Sequence, residues 1–269
     1  MATRTVTHSG RVQGKVALVT GAGSGIGKAT AILLASERGV ALVADISMDA
    51  AQTVTNEIVA AGGRAEAVAL DVSREANWRQ AIEQALKNHQ RLDVLVNNAG
   101  ISYAKPIDEM TLDEWRKVMN VNLDGVFLGT KQAIAAMKKS GGGSIINVAS
   151  VSGIKPSPTA SAYCASKAAI RMFSKTAAIE CADGKTGIRV NLVTPGGVKT
   201  PMWEKMDFFQ GMIAQMGGTE KAFAAMEGEA ASQKFFTAEE VASTILYFAS
   251  DESAHLTGTE IVLDRGHTG

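Results

Sequence analysis

The segment SAYCASKAAI at residues 161–170 sets Tyr163 and Lys167 four residues apart in an Ala-rich stretch. On a helix, positions i and i+4 share a face with Cβ atoms about 6 Å apart, so a phenol and an ammonium there can share one site. A secondary alcohol releases hydride only as its hydroxyl proton is removed, and a free phenol, with a pKa of about 10, is a poor base at neutral pH. A neighbouring ammonium favours phenolate and moves the group toward the working range. Taken alone, the pair is equally a surface Tyr beside a surface Lys, and the rest of the chain has to decide.

A second constellation lies at TGAGSGIGKA, residues 20–29, directly after the apolar run 15–20. It is not the dinucleotide fingerprint G-x-G-x-x-G: counted from Gly21 the last position is Ile26, and from Gly23 it is Lys28. The spacing present is Thr20-Gly21-x-x-x-Gly25-Ile26-Gly27. It still suits a phosphate, because glycines allow close backbone approach and a helix N-terminus carries partial positive charge. Asp45 closes the next apolar run, 18 residues beyond Gly27, where a carboxylate can accept hydrogen bonds from an adenosine ribose. It also fits a turn residue. No Arg or Lys follows in DISMD (45–49) to receive a 2′-phosphate. Two unit charges 4 Å apart at an effective dielectric near 20 repel by about 4 kcal/mol, so the reading is NAD rather than NADP.

The elements that must position these groups alternate strictly. KVALVT (15–20), VALVAD (40–45), AEAVAL (65–70), LDVLVN (92–97), GSIINVAS (143–150), IRVNLV (188–193) and EIVLD (260–264) read as buried strands, the near-continuous apolar type of a parallel sheet covered on both faces. Helices are expected at about 25–37, 48–61, 74–89, 111–139, 161–182 and 237–250. Thr111-x-x-Glu114 and Thr237-x-x-Glu240 carry capping-box spacing. The fold class is therefore α/β, a doubly wound parallel sheet (Rossmann fold) of about seven strands. One domain is expected over 14–269, after a mobile tail at 1–13. Residues 199–236 break the rhythm with Met202, Trp203, Met206, Phe208, Phe209, Met212, Met216, Phe223 and Met226, interrupted by glycines. They read as a substrate lid, or as packing.

Composition narrows the partners. Lys plus Arg equals Asp plus Glu at 27 each, so no basic bias points to nucleic acid or an anionic membrane. No apolar run reaches the roughly 18 residues needed to span a bilayer, and the N-terminal residues lack a secretory apolar segment. Cys164 and Cys181 fall on one expected helix, roughly 25 Å apart at 1.5 Å per residue, beyond disulfide reach. The expected location is the reducing cytoplasm. His8, His89, His255 and His267 show no metal-ligand spacing, and no metal is expected.

TGAGSGIG, the NNAG at 97–100, the Ser150-to-Tyr163 spacing with Tyr-x-x-x-Lys, and the PG at 195–196 occur in an order that resembles the short-chain dehydrogenase/reductase family over about residues 14–266. The resemblance implies that Tyr163 is the acid/base, that Lys167 binds the nicotinamide ribose and lowers the phenol pKa, and that Ser150 polarises the substrate oxygen. Asn122, in MNVNLDGVF, would keep a water link to Lys167. Gly21, Ser24, Gly25, Ile26 and Gly27 would meet the pyrophosphate, and Asp71 and Val72 the adenine. Asn98, Ala99 and Gly100 would line the adenosine ribose side. Pro195, Gly196, Val198 and Thr200 would hold the nicotinamide end. Ser150, Ser152, Tyr103, Met202 and Trp203 would border the substrate, and a homotetramer built on helices 111–139 and 161–182 would follow. From the residues alone, Ser150 is equally a turn or cap, and Asn120, Asn122, Asp124 and Gly125 equally mark a plain kink. Tyr103 and Tyr247 have no Lys four residues on and read as packing rather than acid/base. The chain departs from the family's usual Asp-Gly-Gly at Asp264-Arg265-Gly266, which weakens the oligomer expectation.

The reading is an NAD-dependent dehydrogenase for a secondary alcohol, cyclic or steroid-like, or its ketone. The alternatives are a 3-oxoacyl-carrier-protein reductase and, in another class, a non-catalytic nucleotide-sensing protein. The intact set Asn122, Ser150, Tyr163 and Lys167 speaks against the sensor.

Overall fold

Leu18 and Val19 are chain neighbours and both 0% exposed, yet they belong to opposite cores. Successive strand residues point to opposite faces, so a run apolar at every position demands cover on both sides. That is the structure of this chain, a computed structural model that describes residues 10–228 and 233–269. Strands β1 (Val16–Thr20), β2 (Val40–Asp45), β3 (Arg64–Ala69), β4 (Val94–Asn97), β5 (Gly143–Val148), β6 (Ile188–Pro195) and β7 (Glu260–Leu263) form one sheet in the order β3-β2-β1-β4-β5-β6-β7. Every neighbouring pair is parallel.

One face is covered by α1 (Gly25–Ser36), α2 (Met48–Ala60) and α10 (Ala238–Ala249), which send Leu34, Ile58, Ile245 and Phe248 onto Val19 and Val43. The other is covered by α3 (Glu75–His89), α5 (Gly125–Ser140) and α6 (Ser161–Asp183), with Trp78, Met137 and Cys181 against Leu18, Leu42 and Ile145. The order reverses between β1 and β4, so the connections leaving their C-terminal ends diverge and open a crevice there. The glycine turn after β1, Asn98–Gly100 after β4, Ser150 after β5 and Gly196 after β6 all emerge at that edge.

Both capping boxes form, at α4 (Leu112–Met119) and at α10. The single helix expected at 111–139 is instead α4 and α5 joined by a π turn at Asn120–Asp124. Of the segment read as a tail, residues 1–9 lie outside the described residues, whereas 10–13 belong to the domain. Val12 is 1% exposed, and Arg11 pairs with Glu252 at 2.7 Å. Among the described residues no helix is long and apolar enough to cross a membrane, and no group of three or more His, Cys, Asp or Glu side chains is placed to hold a metal.

Within 199–236, α7 (Pro201–Glu204), α8 (Asp207–Met216) and α9 (Thr219–Met226) fold over the crevice; residues 229–232 lie outside the described ones. The excursion is closed at its base, where Lys199 N donates to Phe236 O and Phe236 N to Gly197 O. Part of this segment packs on itself, the second of the two readings of its apolar residues. Phe209 and Phe223 are buried against each other with centroids 4.7 Å apart, and Trp203 and Phe235 complete this small core at 5.4 Å.

Candidate active site

Helix α6 supplies Tyr163 and Lys167, and its packing on β5 and β6 aims them at the strand ends. Lys167 is 4% exposed. Its Nζ donates to the Val148 carbonyl at 2.8 Å and lies 5.5 Å from the Tyr163 ring centroid. Burial pushes the ammonium down to about 8. Burial also pushes the Tyr163 phenol above its ordinary value, opposed by a hydrogen bond from Ser150. A hydrogen bond to the charged form favours it, so Ser150 opposes the burial penalty without overcoming it. Ser150 is 7% exposed. It is also the cap that half of the sequence reading allowed: its Oγ accepts from Ser152 N at 3.2 Å, opening a one-turn 3-10 helix, Val151–Gly153.

Asn122 sits in the π turn, fully buried. The extra residue of such a turn redirects a side chain that an α-helix would place elsewhere. Here Oδ1 accepts from Ile101 N at 2.8 Å, while Nδ2 donates to Ile101 O at 2.9 Å and to Ser166 Oγ at 3.1 Å. Gly100 is lodged beside both groups: a Cβ there would lie 3.4 Å from Asn122 Oδ1 and 3.7 Å from Lys167 Nζ.

The glycine turn leaves the N-terminus of α1 open. Ser24 occupies the N-cap of α1 without capping it, and the first helical turn has no acidic side chain, so the leading amides keep their positive end free. Gly25 has φ +53°, and a Cβ on Gly27 would collide with the Gly21 carbonyl. Thr20 welds this turn to the next: its Oγ1 accepts from Asn98 N and Ala99 N, each at 3.0 Å, and Asn98 Nδ2 donates to Thr20 O at 2.9 Å. Asp45 is fixed by Gly23 N at 2.9 Å and Ser47 N at 3.0 Å. It is thus both the turn residue and an acceptor with lone pairs to spare.

A cavity of about 330 Å³ gathers Ile26, Asn98, Gly100, Tyr103, Ser150, Ser152, Tyr163, Lys167, Pro195, Gly196, Val198, Thr200, Met202 and Trp203. Tyr103, read as a substrate-bordering residue as well as packing, lines the cavity, with Lys117 Nζ 5.9 Å from its ring centroid; Tyr247 packs on Phe248. Gly21, Ser24, Gly25, Gly27, Asp45 and Ala99 lie outside that lining in the turns beside it, and Asn122 stands behind Gly100. Asp71 lines a second hollow of about 400 Å³ with Ile46, Ser73, Arg116, Lys117 and Val121. Its carboxylate is held by Ser73 Oγ at 2.6 Å and Arg74 Nε at 3.1 Å. Val72 packs against Gly125 next to it.

Residues 157–160, Met206 and Phe208 also line the main cavity. The loop 157–160 had no periodicity or chemical spacing to reveal it. Arg116 and Lys117 reach the hollow beside Ile46 from α4, an approach that no local spacing in the chain marks.

A doubly wound sheet with an uncapped glycine turn at its switch point and a buried Tyr–Lys–Ser group beside an apolar cavity defines a nucleotide-dependent oxidoreductase site. The sequence matches the short chain dehydrogenase family over residues 15–210. It is 38% identical to a cyclopentanol dehydrogenase of Comamonas testosteroni over 96% of this chain and 99% of that one. It is 40% identical to a 3-oxoacyl-[acyl-carrier-protein] reductase of Thermotoga maritima over 95% and 98%. A crystal structure of a short-chain type dehydrogenase/reductase from Mycobacterium marinum superposes with a TM-score of 0.86 at 35% identity, covering 96% of each chain. The chain belongs to the short-chain dehydrogenase/reductase family and is an oxidoreductase that acts on CH–OH groups with a nicotinamide cofactor.

Proposed function

We propose that the protein interconverts a compact secondary alcohol, cyclic in the first instance, and its ketone, with NAD(H) as cofactor. The observation that carries this is the convergence of Tyr163, Ser150 and Lys167 on one cavity whose wall includes Tyr103, Met202, Trp203, Met206 and Phe208. The uncapped α1 turn would hold the pyrophosphate, Asp45 the adenosine ribose, and Pro195, Gly196, Val198 and Thr200 the nicotinamide end. A nicotinamide bound there supplies the hydride acceptor or donor.

The chain supplies the rest. Ser150 Oγ orients the substrate oxygen beside the Tyr163 phenol, which takes the proton in oxidation and returns it in reduction. Lys167, held by the Val148 carbonyl, adds positive charge and stands ready for ribose hydroxyls, and Asn122 maintains the link behind it. The aromatic wall keeps bulk water off the reacting carbon.

Lining by Ile26, Gly196 and Thr200 means that the 330 Å³ cavity also receives the nicotinamide end, which favours a ring of cyclopentanol size over a steroid. A carrier-protein reductase is the second reading, favoured by the 40% identity to such an enzyme. A panel of cyclopentanol, cyclohexanol, 2-propanol, a hydroxysteroid and a 3-oxoacyl thioester, followed by nicotinamide absorbance, separates the two. Cyclic alcohols are expected to lead; thioester reduction far ahead of all alcohols would overturn the proposal. In the same panel, Trp203→Ala is expected to raise KM for cyclohexanol by about tenfold and for 2-propanol by less than twofold, since one lost apolar contact in a pocket is worth about 1–3 kcal/mol. Size-independent effects would reduce residues 199–236 from a lid to packing.

The assembly we propose is a homotetramer. Phe127 on α5, at 47% exposure, and Met172 and Ile179 on α6, at 67% and 62%, leave apolar surface on the helices expected at the interfaces. Light scattering at micromolar concentration is expected to give the mass of four chains, and a stable monomer would refute it. Cys164 and Cys181 are both free thiols, in keeping with a cytoplasmic setting.

A further inference from the structure

Arg171 lies on α6 one turn beyond Lys167 and is not part of the cavity lining. Its guanidinium makes a two-pronged pair with Glu260 of β7, Nε to Oε1 at 2.6 Å and Nη2 to Oε2 at 2.9 Å. The same Glu260 Oε1 accepts from Thr194 Oγ1 of β6 at 2.7 Å. The third prong is the informative one: Nη1 donates to the Gly153 carbonyl at 3.1 Å. Gly153 ends the short turn that begins at Ser150, and its own N–H closes that turn on Ser150 O at 2.9 Å.

The turn is seated directly on α6. A Cβ on Gly153 would lie 2.7 Å from the Lys167 carbonyl carbon and 2.8 Å from Ala168 N, so any other residue would push the turn off the helix. Contact at that distance sets the separation of turn and helix, but it lets the turn slide along the helix. A directed hydrogen bond from a fixed donor removes that freedom. Arg171 is such a donor, because a planar guanidinium bound at two nitrogens cannot rotate, and Glu260 is anchored by two strands. Burial works against the Glu260 charge, and the bonds from Arg171 and Thr194 more than offset it, leaving the carboxyl below its ordinary range.

We infer that Arg171, anchored by Glu260, is a positioning residue: it locks the 150–153 turn against α6 and so sets Ser150 Oγ against the Tyr163 phenol. This inference rests on the alcohol–ketone reading above. Arg171 lies outside the cavity lining, and from the helix that carries Tyr163 it reaches the turn that carries Ser150, the two residues that must meet the same substrate oxygen. Thr194 extends the lock to the strand end that leads into Pro195 and Gly196.

The test uses the full chain with Arg171→Met, Arg171→Lys and Arg171→Ala. In the protein without cofactor, hydrogen exchange of the peptide 149–155 is expected to speed up at least about tenfold in Arg171→Met, with the sheet peptides unchanged. With NAD and cyclopentanol, or whichever panel alcohol the parent turns over fastest, kcat is expected to fall about 10- to 100-fold, the scale of a misplacement of about 1 Å, while KM for NAD stays within twofold. Arg171→Lys is expected to recover part of kcat, and free guanidinium to restore part of it in Arg171→Ala. Should the Arg171 variants not fold, Glu260→Gln leaves the bond to Gly153 but removes its charged anchor, and the same changes are expected at smaller size. A folded Arg171→Met with parental exchange at 149–155 and parental kcat overturns the inference. So does exchange that rises evenly across the chain with activity following the melting temperature. A parent chain inactive on the whole panel overturns the alcohol–ketone reading instead, and the exchange result then still reports on the lock.

Discussion

Tyr163→Phe is expected to lower kcat about a thousandfold while leaving the dissociation constant for NAD within about twofold. The substitution keeps the ring in its buried place and removes only the group that moves a proton, a contribution of about 10²–10⁴ in comparable sites. Lys167→Ala is expected to damage both quantities, because Nζ bridges the Val148 carbonyl and the cofactor side of the cavity.

The pH dependence follows from the sign of the shift. Burial disfavours the Tyr163 phenolate and Ser150 favours it. Alcohol oxidation, which needs the deprotonated phenol, should therefore climb toward alkaline pH, while ketone reduction, which needs the protonated one, should hold across neutrality and fall above it. Ser150→Ala removes the opposing hydrogen bond and is expected to displace the oxidation profile further to the alkaline side. Near-parental turnover in Tyr163→Phe, measured by nicotinamide absorbance across pH 6–10, would overturn the assigned chemistry.

NAD is expected to exceed NADP by at least about a hundredfold in kcat/KM. The repulsion between the Asp45 carboxylate and a 2′-phosphate is about 4 kcal/mol at 4 Å and an effective dielectric of 20, nearly three decades. The carboxylate cannot swing clear, because Gly23 N and Ser47 N hold its two oxygens. For the same reason the choice of variant matters. Asp45→Asn keeps an acceptor for one amide and removes the charge, so it should relax the preference with little loss on NAD. Asp45→Ala also frees the glycine turn and should cost both cofactors. Arg116 and Lys117 line the hollow next to Ile46, so in a neutral variant their charge is available to favour the phosphate. Equal efficiency of the parent with both cofactors would refute the role given to Asp45.

Much of this was legible in the chain itself, and the reason is locality. Strand β2 has the residues its apolar run marked, 40–45, because a short β-branched run apolar at successive positions suits a strand covered on both faces. Thr111 and Glu114, and Thr237 and Glu240, cap their helices as their spacing required, since a capping box needs no partner outside four residues. The Tyr163–Lys167 pair shares a helical face for the same reason, and glycine spacing alone marked the phosphate turn.

Other features depend on which distant segments the sheet order brings together. Arg171 and Glu260 are 89 residues apart, and nothing in the spacing of either announces a bond to the turn carrying Ser150. The extra residue that turns Asn122 inward had the look of a plain kink, because a π turn and a kink use the same poor helix formers. Residues 199–236 read equally as lid or packing, and only the fold shows that Phe209 and Phe223 bury one another. The spacing showed only Lys167 beside Tyr163, whereas the burial that raises the phenol and the Ser150 bond that opposes it come from other elements. By itself the sequence marked the strands, the glycine turn and the Tyr163–Lys167 pair, because apolar runs, glycine spacing and i,i+4 geometry are local. Only the tertiary structure decided the environment of that pair, because burial and cross-element hydrogen bonds are properties of neighbours in space.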